Sequence, residues 1–389
     1  MKRLIRRILE SESSAGMILL TAAVLALIFQ NVGVLQGIYH HFLHLPVEIG
    51  IGSYKLEEPM HFWVNDVLMA IFFFAIGLEL KREKIEGQLR HFSQIFLPSF
   101  AALGGVMFPA IIFAIINWGD SFAMRGWAIP TATDIAFAVG VMALLGKRIP
   151  TSLKIFVLTL AIMDDLCAIL IIALFYSSTL NFVYLGLAFA CVVGMFFMNK
   201  IGVDKKLPFI LMAILLWIFV LNSGIHATIA GVIAGFCIPI KTKTGSMLKD
   251  MEHGLAYPVN FFILPIFAFA NAGVDLAGMS ISHLFGAVPL GIMLGLFLGK
   301  QLGIFLFSWA LIKLKIAYMP EHANWAQLYA VAIICGIGFT MALFVDALAY
   351  GGSDAFHHTD KLAILLGSII SGIVGYLVAK FVGNKNSAQ

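Results

Sequence analysis

The chain has 389 residues, of which 61% are hydrophobic and only 12% are Asp, Glu, Lys or Arg, with a mean hydropathy of +0.96. Soluble domains carry about twice that share of charge, so composition excludes a water-soluble globular protein and points to a polytopic membrane protein. The formal net charge of +4 does not indicate nucleic-acid binding, because the basic residues sit in short clusters between apolar runs, as topology signals do.

A transmembrane helix needs roughly 20 predominantly apolar residues. Runs of that kind recur almost end to end and predict an all-α membrane fold with about twelve spans. They lie near residues 12–30, 59–80, 95–116, 126–145, 153–175, 183–199, 207–221, 226–240, 255–271, 286–311, 326–349 and 361–382. The first follows Lys2, Arg3, Arg6 and Arg7 with no small-residue cleavage site, and reads as a retained span rather than a removed signal.

Between the first two spans, residues 46–58 alternate apolar and polar residues around Gly52-Ser53, which is the chemistry of a β-hairpin. A lone hairpin is marginal in water, so this one is expected to pair with something, such as a second copy of the chain. His40, His41 and His44 precede it at a spacing that suits a metal, although a solvated loop is the simpler reading. Cys167, Cys191, Cys237 and Cys335 all fall inside apolar runs with no CxxC pair, as buried structural thiols do.

The basic residues sort onto alternating loops. One side collects the N-terminal cluster, then Lys81, Arg82, Lys84 and Arg90, then Lys147 and Arg148, and continues so to Lys380 and Lys385. The other keeps only Lys55, Arg125 and Lys361. The positive-inside rule then puts both termini in the cytoplasm, with an even number of spans.

Few ionisable groups remain at membrane depth: Asp134, Asp164, Asp165 and Lys300, with Asp66 and Asp346 nearer the outer ends. A charge at the bilayer centre costs at least about 2.5–3.5 kcal/mol, so such groups mark function by default. Asp164 and Asp165 are adjacent in LTLAIMDDLCAILII and point about 100° apart on a helix, yet can border one cavity. A carboxylate there binds a proton or a hard cation but not both, and Thr133, Thr159 and backbone carbonyls offer further oxygen ligands. Competition of two ions for one site is the minimum physics of an antiporter.

Two spans carry signs of a break. In WAIPTATDIAFAVG, Pro130 removes a backbone donor just before Thr131, Thr133 and Asp134. In AVAIICGIGFTMALFV, Gly336 and Gly338 weaken the helix before Thr340. These spans, the fourth and eleventh, run in opposite directions, so spans 3–5 and 10–12 (95–175 and 286–382) are expected to form an inverted-repeat core with crossed helices, and 1–94 and 183–271 a scaffold. Half-helix ends carry about half a unit of charge. Facing N-termini want an anion, which Asp134 can supply, and facing C-termini want a cation, which Lys300 can supply. Lys300 can equally pair with Asp164, and the sequence does not choose.

From first span to last the chain resembles the NhaA-type sodium/proton antiporter family, most specifically in GWAIPTATDIAFAVG, LAIMDDL, NSGIHATIAGV, LPIFAFANAG, the LGK of Lys300, and CGIGFTM. The resemblance implies a single transporter domain with crossed helices in the bacterial inner membrane, and a homodimer bridged by the outer hairpin. It also implies electrogenic exchange of Na+ or Li+ for a larger number of protons, with no cofactor, nucleotide or enzymatic activity. Asp164 and Asp165 would form the ion site, supported by Asp134, Thr133 and Lys300. Glu79, Arg82, Glu83, Glu252 and His253 match a cytoplasmic charge cluster that governs activation at alkaline pH, although each also reads as an ordinary interfacial charge. His226 reads as a titrating or a packed histidine.

The chain departs from the family pattern at Asp346, where an uncharged residue is expected, at Ala342, where a serine is common, and at Ala256, where some relatives carry a histidine. These bear on pH set-point and ion affinity rather than on the reaction. An intramembrane aspartyl protease would need its two aspartates on different helices, one in a GxGD segment, whereas the GxG at Gly336 precedes Phe339. A cation channel usually lines its filter with repeated subunit rings, which a single chain with an internal repeat does not supply.

Overall fold

The computed structural model describes residues 12–51, 54–87, 92–177, 179–243, 245–277, 281–351, 356 and 358–383. The expectations for Lys2, Arg3, Arg6, Arg7, Arg90 and Lys385, and for the Gly52-Ser53 turn, lie outside these residues. The fold is almost wholly helical: α1 (Glu12–Asn31), α2 (Gly33–His44), α3 (Met60–Ile85), α4 (Phe92–Ile116), α5 (Ile135–Leu145), α6 (Thr151–Phe175), α7 (Phe182–Ile201), α8 (Lys206–Leu221), α9 (Thr228–Cys237), α10 (Met247–Asn271), α11 (Ala287–Lys313), α12 (Trp325–Ile334), α13 (Phe339–Tyr350) and α14 (Thr359–Val382).

Among the described residues, nine spans are long and apolar enough to cross a bilayer, and α12 with α13, bent by 46°, makes a tenth when read as one. The shorter apolar helices α8 and α9 stand where spans were predicted at 207–221 and 226–240. Helix α10 begins at Met247, well before the predicted 255. Its first turns are amphipathic: Met247, Leu248 and Met251 are buried while Lys249 and Asp250 face out, so charge there marks a helix face rather than a loop.

The chain divides into two compact units. The first comprises α1, α4, α5, α6 as far as Ala168, and α11 to α14. Its α4 and α11 meet at glycines: a Cβ on Gly104 would strike the Gly303 carbonyl, one on Gly303 the Gly104 carbonyl, and one on Gly299 the backbone of Pro109. Small residues let membrane helices approach closely where the hydrophobic effect gives no drive to pack. Just before Lys300, α11 widens into a π-type turn over Gly295–Gly299.

The second unit comprises Val32–Arg90 and Ile169–Ala270. Here α3 and α9 pack through Gly77, Gly231 and Gly235, each against the partner's backbone. The Lys81 ammonium donates to the Phe236 and Ile238 carbonyls at the C-terminus of α9 (2.8 and 2.5 Å), complementing that helix dipole. Phe182, Phe189 and Phe196 recur every seventh residue of α7, are all at least two-thirds exposed, and make an exposed apolar stripe.

The hairpin pairs β1 (Pro46–Ile51) with β2 (Tyr54–Pro59) antiparallel, with Val47 opposite Glu58 and Ile49 opposite Leu56. Trp63 Nε1 donates to the Val47 and Glu58 carbonyls (3.3 and 3.2 Å), tying the sheet to α3. The four cysteines are free, with Cys191 and Cys335 buried and Cys167 and Cys237 partly so. His40, His41 and His44 fall on α2 or its end, and no metal-ligating cluster is found among the described residues.

Because Gly303 meets backbone rather than a movable side chain, Gly303→Val forces α4 and α11 apart. It is expected to lower stability by about 1–3 kcal/mol in denaturant unfolding of the detergent-solubilised protein. Gly186→Ala, with open space around its Cβ, is the control that should cost nothing.

Candidate functional site

Each predicted break falls where the sequence placed it, and both lie in the first unit. Around Pro130 the chain makes a short tight turn, Ile129–Thr131, then runs extended through Ala132 (φ −78°, ψ 148°) and Asp134 (φ −89°, ψ 104°) before α5 begins. Thr131 folds its hydroxyl back onto the Ala128 carbonyl (2.7 Å). In the second break, α12 stops at Ile334 and α13 starts at Phe339, with Cys335 to Gly338 between. A Cβ on Gly338 would press on the Ala132 carbonyl, and one on Gly336 on the Leu296 carbonyl, so the two breaks cross at backbone distance.

Hydrogen bonds stitch the crossing together. Asp134 N–H donates to the Ile337 carbonyl (2.7 Å), and the Thr133 hydroxyl to the Cys335 carbonyl (2.9 Å). The Asp134 carboxylate is 1% exposed. Its Oδ1 accepts from Phe137 N–H (3.1 Å), and its Oδ2 from the backbone N–H and hydroxyl of Thr340 (3.1 and 2.5 Å). One carboxylate therefore caps the N-termini of both α5 and α13, where two helix dipoles present positive ends. Ser368 on α14 assists by accepting from Gly338 and Phe339 N–H (3.2 and 3.1 Å).

Asp164 and Asp165 sit side by side on α6, 2% and 3% exposed, with Thr159 buried on the same helix. Lys300, wholly buried, donates to Asp164 Oδ2 at 2.8 Å. Of the two roles left open for Lys300, the side chain takes the pairing one. Asp164 Oδ1 is buried without a hydrogen-bond partner among the described residues, which leaves that oxygen available to a ligand. On α11, Gln301 follows Lys300, donates to the Phe297 carbonyl in the wide turn (2.6 Å) and accepts from the Tyr329 hydroxyl (2.6 Å).

The candidate pH-responsive residues belong to the second unit. Arg82 Nε donates to both Glu252 oxygens (2.8 and 2.9 Å), and its Nη1 lies 2.7 Å from Glu83 Oε1. Glu79 is half-buried one turn earlier on α3, whereas His253 is exposed and forms no ion pair among the described residues. Glu86 pairs with Lys249 (2.6 Å), and that hydrogen bond holds its carboxyl below the ordinary range. Glu86 therefore stays ionised throughout the alkaline range. His226 Nδ1 stands 4.0 Å from Asp66 Oδ1, which makes it a neighbour of a carboxylate rather than of the Arg82 cluster.

Sequence reasoning missed Ser368, which carries no local signature and works through a helix far along the chain. It also missed Asp360, which is buried at 4% exposure but stands one residue before the predicted start of its span.

The family model described as "Na+/H+ antiporter 1" matches residues 6–379. The chain is similar to "Na(+)/H(+) antiporter NhaA 1" of Campylobacter hominis, 75% identical over 382 residues, covering 98% of this chain and 96% of that protein. It is 54% identical to "Na(+)/H(+) antiporter NhaA" of Sulfurovum sp. over 383 residues, 97% of each chain. It is 49% identical to "Na(+)/H(+) antiporter NhaA 1" of Pseudomonas putida over 389 residues, 99% of this chain and 98% of that one. These matches run through both units and the crossing, and the chain belongs to the Na+/H+ antiporter 1 family, whose members are membrane transporters rather than enzymes.

Proposed function

We infer that the chain exports Na+ or Li+ from the cytoplasm in electrogenic exchange for external protons, in the bacterial inner membrane with both termini cytoplasmic. The observation that carries this reading is the buried Asp164, with one oxygen held by the Lys300 ammonium and the other without a hydrogen-bond partner among the described residues. A site of that kind is neutral while Lys300 is protonated. A hard cation arriving at Asp164, with Asp165 and carbonyl or hydroxyl oxygens as further ligands, competes with the ammonium for the same carboxylate. Cation and protons then occupy the site in turn, with more than one proton leaving the Lys300, Asp164 and Asp165 groups for each cation bound, which couples their movement and makes the exchange electrogenic. Asp134 and Thr133 hold the crossed helices that flank the site, and rearrangement of those half-helices is the step that exposes it alternately to the two sides.

In this reading twelve spans and an inverted repeat frame the core, and the hairpin bridges a homodimer. The ion pairs of Arg82 with Glu83 and Glu252 form the alkaline-responsive element, with Glu79, His253 and His226 as further candidates.

The primary test is sodium-induced collapse of a preformed pH gradient in everted vesicles. Wild type is expected to respond to sodium and lithium, with Asp164→Asn and Asp165→Asn silent at every pH. Sodium flux without proton movement would instead indicate a channel. Lys300→Gln leaves Asp164 buried beside a neutral partner, which is expected to lower stability by about 3–5 kcal/mol. The Asp164→Asn/Lys300→Gln pair should recover most of it in the same unfolding assay. Glu252→Gln frees Arg82 on one side and should displace the pH profile of exchange while leaving the activity at its optimum largely intact; an unmoved profile removes this cluster from the pH response.

A further inference from the structure

The Lys300 ammonium reaches Asp164 from a helix that is not regular. Over Gly295–Gly299, α11 makes a π-type turn in which the Lys300 N–H bonds back to the Gly295 carbonyl rather than to the residue an α-helix would use. Such a turn holds one residue more than an α turn, and one residue is about 100° of rotation about a helix axis. The direction in which Lys300 leaves α11, relative to the turns before it, therefore depends on the wide turn staying wide. Both ends of that turn are glycines, which favour helix least after proline, so the turn does not hold itself.

Gln301 supplies the hold. Its side chain is 3% exposed, and its Nε2 donates to the Phe297 carbonyl in the middle of the wide turn (2.6 Å). An amide buried to that degree must satisfy its oxygen as well, and Oε1 accepts from the Tyr329 hydroxyl on α12 (2.6 Å). The Tyr329 ring is fixed in turn by an edge-to-face contact with Phe305 of α11, 5.2 Å between centroids. A phenol, an amide and a carbonyl in series thus join α12 to the turn that aims Lys300. Helix α12 is the half-helix that leads into the crossing, where the Cys335 carbonyl accepts from Thr133. Packing alone does not require this polar series, because two apolar side chains of the same shape fill such a contact at little cost.

We propose that Gln301 and Tyr329 are positioning residues for the Lys300 ammonium. They brace the wide turn so that the ammonium stays on Asp164, and they make that hold depend on where α12 stands. The inference rests on the reading of Asp164 and Lys300 as the exchange site. Helix α11 is locked to α4 through Gly299 and Gly303, so movement of α12 breaks the Tyr329–Gln301 bond rather than dragging α11 along. Loss of that bond loosens the ammonium on Asp164, and an arriving cation meets a weaker competitor for the carboxylate. Rearrangement at the crossing and release of Lys300 are thereby linked.

The test compares Tyr329→Phe, Gln301→Met and the double variant in everted vesicles at one fixed pH, reading KM for sodium separately from the maximal rate. Each single variant is expected to lower KM by about two- to tenfold, the range that one hydrogen bond spans, while the maximal rate changes far less. The double variant should match Gln301→Met, because the two side chains act in series. An unchanged or raised KM overturns the proposal, as does a double variant whose effect is the product of the two singles. A second measurement needs no sodium: denaturant unfolding of Tyr329→Phe in the wild type and in the Asp164→Asn/Lys300→Gln background. The substitution should cost more where the ion pair is present, and equal costs also overturn the proposal. Should wild-type vesicles not exchange sodium at all, the antiporter reading fails, and the unfolding comparison still decides whether this pair braces Lys300.

Discussion

Hydrocarbon offers no hydrogen-bond partners, so a helix interrupted in a membrane must satisfy its loose ends within the protein. That constraint organises the first unit. The breaks at Pro130 and at Cys335–Gly338 each expose backbone donors and acceptors, and each supplies what the other lacks. Asp134 closes the N-termini of α5 and α13, Thr133 takes a carbonyl from the end of α12, and Ser368 serves the donors Asp134 does not reach. Helices of 11 and 12 residues span about 16–18 Å, roughly half of a 30 Å hydrocarbon layer. The crossing is thereby set near mid-depth by helix length alone.

The buried ion pair follows a related logic. Lys300 and Asp164 are each too expensive to bury singly, and in their ion pair each charge compensates the other. The wide turn at Gly295–Gly299 immediately precedes Lys300, and the next residue, Gln301, donates back to a carbonyl inside that turn. The second unit handles charge differently. Arg82, Glu83, Glu252, Lys249 and Glu86 pair at partly exposed positions, where ion pairs contribute little stability and are screened by salt.

Much of this was legible in the sequence because its signals were local and chemically sharp. A proline followed by TATD, and a GIG before FT, announce broken helices without reference to anything distant. Isolated carboxylates in apolar runs announce themselves by cost. What could not be read depends on partners far along the chain. Choosing between the two roles for Lys300 required knowing which helix faces it, and Ser368 looks like any other small residue of a membrane helix. Asp360 was lost to a boundary: a span begun one residue late turned a buried acid into a loop charge. The early start of α10 was missed for the opposite reason, since Lys249, Asp250 and Glu252 look like loop although they form the wet face of a helix.

The glycine contact between α4 and α11 carries a mechanical consequence. Side-chain layers let packed helices shear by small rotamer changes, whereas two backbones in mutual contact at Gly104 and Gly303 leave nothing to adjust. These helices are interlocked and travel as one strut, and Lys300, three residues before Gly303, rides on it. Compliance in this unit is therefore concentrated in the crossed segments, which are joined by hydrogen bonds that can be exchanged one at a time. The ammonium is mounted on the stiff member of the unit, and the Asp134 carboxylate on the pliant one.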